Sequence, residues 1–134
     1  MVYIQTPEAF EQARRMYGIR NFSFSEFTCP CCGEIKISLE LVRKVQLLRD
    51  AFGRPIRINS AYRCQKHNET VGGSPTSSHL KGLALDLAVS TSPDRFFFIS
   101  KLLRLGIDRI GIGKDFLHFD LDEEKPKGVI WTYY

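Results

Sequence analysis

The chain holds three histidines, at positions 67, 79 and 118. His79 sits in the run Ser77-Ser78-His79-Leu80-Lys81-Gly82-Leu83-Ala84-Leu85-Asp86. Asp86 lies between two leucines, where an ionised carboxylate is costly to bury unless it accepts several hydrogen bonds or meets a cation. His118 lies in Phe116-Leu117-His118-Phe119-Asp120, whose alternation puts His118 and Asp120 on one strand face, opposite Phe119. Two imidazoles and a carboxylate on neighbouring strands are a suitable ligand set for Zn2+, with a fourth corner left for water. The ion lowers the pKa of such a water to near neutrality and polarises a carbonyl oxygen. The competing reading is a hydrogen-bonded core histidine and an aspartate that serves as a cap or a turn. The helix-borne pattern His-Glu-x-x-His is absent, so spacing alone leaves both readings open.

The cysteines form a second group. Three crowd into Cys29-Pro30-Cys31-Cys32-Gly33 and the fourth is Cys64. Cys29-x-x-Cys32 with Cys64-x-x-His67 offers a set for a structural zinc. A disulfide to Cys64 and free, packed thiols are the alternatives. If no metal binds there, His67 is a structural residue that pins the loop after Arg63.

These residues need elements to carry them. Thr6 and Pro7 open a helix over 6–17, with Phe10, Ala13 and Met16 at helical spacing. Residues 22–35 are irregular. Ser38 caps a second helix to about Phe52 with the apolar face Leu41, Val42, Val45 and Leu48. Gly53 ends it and Pro55 stops it from resuming. Ile56 to Ser60 alternates as a strand, and 64–77 reads as a short helical turn and a Gly-Gly-Ser-Pro-Thr-Ser loop. Leu83 to Val89 is a buried strand. Ser92 caps, and Pro93 starts, a helix through Leu105. Strands follow at 109–112, 117–121 and 129–132. Helices early and short strands late predict an α+β fold, a mostly antiparallel sheet with helices packed on one face.

The length of 134 residues suits one domain. Apolar residues make up 43% and charged residues 25%, the balance of a globular chain. No apolar run approaches the roughly 20 residues that cross a bilayer, so membrane insertion is not expected. The start lacks a basic region followed by an apolar stretch, so no signal peptide is expected. If the protein acts outside a cytoplasm, something else must release it. A net charge of +4 fits an ordinary solvated surface or a polyanionic partner. With no run of five Lys or Arg, nucleic acid is not an expected partner.

The pattern Ser77-x-His79-x-x-Gly82-x-Ala84-x-Asp86, followed by a late histidine in a strand, resembles the zinc D-Ala-D-Ala carboxypeptidases and dipeptidases. Related peptidoglycan endopeptidases and phage endolysins share it, and the Hedgehog signalling domain shares the fold. Ile56-x-Ile58-x-Ser60-Ala61-Tyr62-Arg63-Cys64-x-x-His67-Asn68, Val71-Gly72-Gly73 and Gly111-Ile112-Gly113 are similar to the same family. The resemblance spans about residues 22–132, which leaves 1–21 as an N-terminal helical extension of a single domain, 1–134.

It implies a zinc metallopeptidase acting on peptidoglycan or muropeptides, as a D,D-carboxypeptidase or an endopeptidase, with one catalytic Zn2+ on His79, Asp86 and His118 in a monomer, made in the cytoplasm of a bacterium or phage-infected cell and reaching the cell wall after release. The family's catalytic carboxylate, three residues before the last ligand, falls on Asp115, which could instead be a turn residue after Gly113-Lys114. Its arginine, sixteen residues before the first ligand, falls on Arg63, whose fixed charge would stabilise an oxyanion. Ser77 matches a serine that contacts substrate. Asp120, on the His118 face, is a rival to Asp115 for the catalytic carboxylate, but better suits the orienting of a ligand histidine. Some relatives carry a histidine two residues before the last ligand; here it is Phe116. The rivals are a non-catalytic metal-binding recognition module of the same fold and a nucleic-acid binder built on a Cys/His zinc ribbon.

Overall fold

Hydroxyl caps set the helix starts. In the computed structural model, which describes residues 1–134, Thr6 Oγ1 accepts from the Ala9 N–H at 3.0 Å and Pro7 opens α1 (Pro7–Tyr17). Ser38 accepts from the Leu41 N–H at 3.3 Å to start α2 (Leu39–Phe52), and Gly53 ends it at φ 73°. α3 (Gln65–Thr70) is a short helix that Cys64 caps. α4 (Ser92–Arg104) is capped by Thr91, not by Ser92. The Thr91 backbone is extended and its hydroxyl accepts from the Asp94 N–H at 3.3 Å, whereas Ser92 is already helical.

Two short strands, β1 (Tyr3–Ile4) and β2 (Ile37–Ser38), pair antiparallel. The main sheet contains β3 (Ile58–Ser60), β4 (Ala84–Ala88), β5 (Arg109–Ile112), β6 (Phe116–Asp120) and β7 (Val129–Thr132), in the order β3-β4-β6-β5-β7. Every pair is antiparallel except β5 with β7. The expected α+β architecture therefore holds, with one parallel pair at the sheet edge.

Strand alternation divides the sheet into two chemistries. Leu85, Leu87, Ile110, Leu117 and Phe119 join Leu41, Val42, Val45 and Leu48 of α2 and Phe98 and Leu102 of α4 in one apolar core. Asp86, Arg109, Gly111, His118 and Asp120 fall on the opposite face. Ile4, Phe10, Ala13 and Ile19 belong to the same core, so residues 1–21 are packed into the domain. Register decides what meets on the polar face: Asp86 pairs with His118, and His118 with Gly111 on its other side. A slip by one residue would send all of these side chains into the core.

Candidate metal centre

Asp86 and His118 face each other across β4 and β6. His79 reaches them from a single 3-10 turn, Ser78–Lys81. Ser77 Oγ accepts from the His79 N–H at 3.2 Å at the start of that turn, and Gly82 closes it at φ 71°. A Cβ on Gly82 would lie 2.0 Å from the Lys36 carbonyl oxygen, so only glycine lets the turn sit this close to the chain before β2. His79 Nε2 then lies 3.2 Å, and His118 Nδ1 2.9 Å, from Asp86 Oδ1. The three donor atoms all lie within 4.8 Å of one another.

The outer nitrogens are held as well. His79 Nδ1 is 2.7 Å from the Ala61 carbonyl oxygen, and His118 Nε2 is 2.7 Å from Asp120 Oδ2. An acceptor at each outer nitrogen fixes the N–H there and turns the other nitrogen's lone pair inward. Two imidazole lone pairs and a carboxylate oxygen then converge on one point, which a proton or a cation must fill. Burial pushes the Asp86 carboxyl up, yet hydrogen bonds from His118 and His79 outweigh it and hold Asp86 well below the usual carboxylate range. Burial favours neutral His118, yet Asp120 and Asp86 raise its pKa overall. A cation entering this point displaces that proton. Nitrogen and oxygen donors in this number, with their outer atoms already held, fit Zn2+.

Asp120 is itself fixed. Arg109 Nε donates to its Oδ1 at 2.7 Å and the Asp122 N–H donates to the same oxygen at 3.1 Å. Arg109 also donates to the Pro126 carbonyl and stacks 4.9 Å from the Trp131 ring. Asp120→Asn is expected to weaken zinc binding by about 10- to 100-fold. Competition against a chromophoric chelator measures this, and an unchanged dissociation constant would refute the orienting role.

An open cleft of about 340 Å3 lies over the donor set. Arg63 lines it, with Nε on Ser60 Oγ at 2.9 Å, Nη1 on Asn68 Oδ1 at 3.2 Å and Nη2 at 3.5 Å from Asp86 Oδ2. Ser77 lines it as well, while its hydroxyl caps the His79 turn. Trp131 and Tyr133 form one wall, with the Trp131 ring centre 5.5 Å from that of His118. Gly111 makes room for them: a Cβ there would lie 2.6 Å from the Tyr133 ring.

A family model described as Peptidase M15 matches residues 8–120. The chain belongs to the peptidase M15 family. Among curated proteins none matches it. M15 peptidases are zinc-dependent metallopeptidases, and the matched span includes His79, Asp86, His118 and Arg63. Lys125, Trp131 and Tyr133 line the cleft but fall beyond the M15 match. The sequence reading did not single them out. The available signal was Gly111, whose missing side chain marks where β7 lays its aromatics across β5.

Two expectations for this M15 chain need correction. Asp115 is not in the cleft. It is exposed and lines a separate depression with Phe52, Arg54, Pro55 and Asp94. Parity explains this: Phe116, His118 and Asp120 point to the donor face, so a residue three positions before His118 is directed to the other side. Asp115→Ala is expected to leave turnover within about threefold of the parent in a peptide-release assay; a collapse of kcat would restore Asp115 to the chemistry. The second correction concerns His67. Cys29, Cys32 and Cys64 come together, but His67 is not of their set. Its backbone N–H donates to Cys64 Sγ at 3.4 Å, while the residue lines a small cavity with Arg63 and Asp86.

Proposed function

We propose that this chain hydrolyses a peptide bond in peptidoglycan stem peptides. The observation that carries the reading is the convergence of His79, Asp86 and His118 at the floor of an open cleft, with the Arg63 guanidinium beside them. His79, Asp86 and His118 would hold zinc, which when bound would supply Lewis-acid activation of water and of the scissile carbonyl. Arg63 places a permanent positive charge next to the position where the carbonyl oxygen gains negative charge. The Trp131 and Tyr133 wall packs against the peptide and excludes bulk water. Burial raises the Tyr133 phenol, so it faces the cleft as a neutral hydrogen-bond donor rather than a phenolate. Arg63, Arg109 and Lys125 all line the cleft, which favours a peptide bearing a carboxylate over a cationic one. The partner is thus a muropeptide bound by a monomer that meets the wall after release from the cell interior.

The deciding experiment is digestion of purified muropeptides with the zinc-loaded protein, followed by mass spectrometry of the new termini. Loss of a terminal D-alanine identifies a carboxypeptidase, and separation of cross-linked stems identifies an endopeptidase. Tight muropeptide binding with no new terminus would refute hydrolysis and leave a recognition module.

A further inference from the structure

The cysteine cluster lies apart from the cleft, and peptide hydrolysis as described above makes no use of it. Cys29 is fully buried, yet residues 30–34 around it are exposed and contribute nothing to the apolar core. What orders them is a tight turn. The Gly33 N–H donates to the Cys29 carbonyl at 2.8 Å, the Cys29 N–H donates to Glu34 O at 2.7 Å, and Gly33 takes the left-handed conformation at φ 73°. This turn brings the Cys29 and Cys32 sulfurs to Cys64, all within 4.8 Å of one another. A tetrahedral zinc with Zn–S bonds of about 2.3 Å needs sulfur separations of about 3.8 Å, so small rotations about χ1 suffice to close the set. Cys31, exposed on the same turn, lies outside that three-sulfur set and is the fourth thiol within its reach.

Backbone donors converge on the same sulfurs. The Cys64 N–H donates to Cys29 Sγ at 3.5 Å. The His67 N–H points at Cys64 Sγ. Backbone N–H groups aimed at sulfur would stabilise thiolate ligands at both positions. Three converging thiolates need a cation, and a tetrahedral set completed by Cys31 suits zinc.

We infer that Cys29, Cys31, Cys32 and Cys64 form a second, structural Zn2+ site. It ties the exposed turn before β2 to the segment that carries the Ala61 carbonyl, which holds His79, and Arg63, which borders Asp86. The site thus braces the cleft without touching substrate.

The test separates the two sites by removing the other one. A His79→Ala/His118→Ala chain, purified under reducing conditions, should retain about one zinc where the parent holds about two. Loaded with Co2+ instead, it should show thiolate-to-cobalt charge transfer and intense tetrahedral d–d bands. Cys31→Ser or Cys64→Ser in that background should abolish the bands, and His67→Ala should not. A second measurement needs no cysteine variant: mercurial titration of the double-histidine chain should release about one zinc for about four thiols blocked. No zinc and no cobalt bands in that chain, four thiols alkylated without metal release, or the mass deficit of a disulfide would each overturn the inference. None of these results depends on whether the chain cleaves peptidoglycan.

Discussion

His118→Ala is expected to lose one zinc per chain and to reduce hydrolysis to background, a fall of at least about four orders of magnitude. His118 is the hub of the donor set. Its Nδ1 lies 2.9 Å from Asp86 Oδ1 and its Nε2 is held by Asp120 at 2.7 Å, so the ring links the inner carboxylate to the outer one. Alanine leaves Asp86 and His79 to hold a divalent ion with two donors, too few for zinc at physiological concentrations. The fold should survive, because Leu117 and Phe119, the core-facing neighbours of His118, are untouched. Arg109 still pairs with Asp120, so no buried charge is abandoned. Metal analysis of dialysed protein, circular dichroism and muropeptide release test this together. A folded variant that keeps its full zinc and its turnover would remove the centre from the chemistry. The parent should also bind zinc more weakly as pH falls through the raised pKa of His118, because the metal must then displace a proton that the metal-free site holds firmly.

The parts of this centre that were legible in the sequence share one property: their geometry is local. Asp86 between leucines and His118 beside Phe119 declare their faces through the two-residue period of a strand. Thr6, Ser38 and Gly53 mark helix ends through chemistry within one turn. The errors came where local cues compete or where pairing is long-range. Thr91 and Ser92 are adjacent hydroxyls, and only the backbone conformation of Thr91 decides which of them caps α4. The resemblance implies a catalytic carboxylate three positions before the last ligand, at Asp115, an odd offset that strand parity turns away from the donor face. His67 was paired with Cys64 by a spacing that suits a metal loop, but α3 begins between them and only the His67 N–H returns to the sulfur. Trp131 and Tyr133 carry no signal of their own, because their role depends on β7 lying parallel beside β5, and only Gly111 on β5 hints at that pairing.

Arg63→Ala is expected to lower kcat by about 10²- to 10³-fold, some 2.7–4 kcal/mol, with zinc content unchanged and KM altered much less. Arg63 lies at the edge of the donor set and outside it, so its loss should not release metal. Its Nη2 stands 3.5 Å from the second oxygen of Asp86, a position from which it would face the negative charge that develops during attack on a carbonyl. The guanidinium is aimed by Ser60 and Asn68, and Asn68 is locked in turn by its Nδ2 donating to the Ser74 carbonyl at 2.8 Å. A Cβ on Gly73 would lie 2.1 Å from Asn68 Oδ1, so the glycine loop is packed directly against this brace. Such preorganisation lets the charge act without reorienting as the reaction proceeds. Arg63→Lys separates charge from geometry. An ammonium keeps the charge but cannot span Ser60, Asn68 and Asp86 with one rigid fork, so it should recover only a small part of the lost rate. Full rescue by lysine would mean that the charge suffices and the bracing is incidental. A loss confined to KM would move Arg63 from transition-state stabilisation to simple substrate binding, because the energy would then be spent equally before and during the reaction.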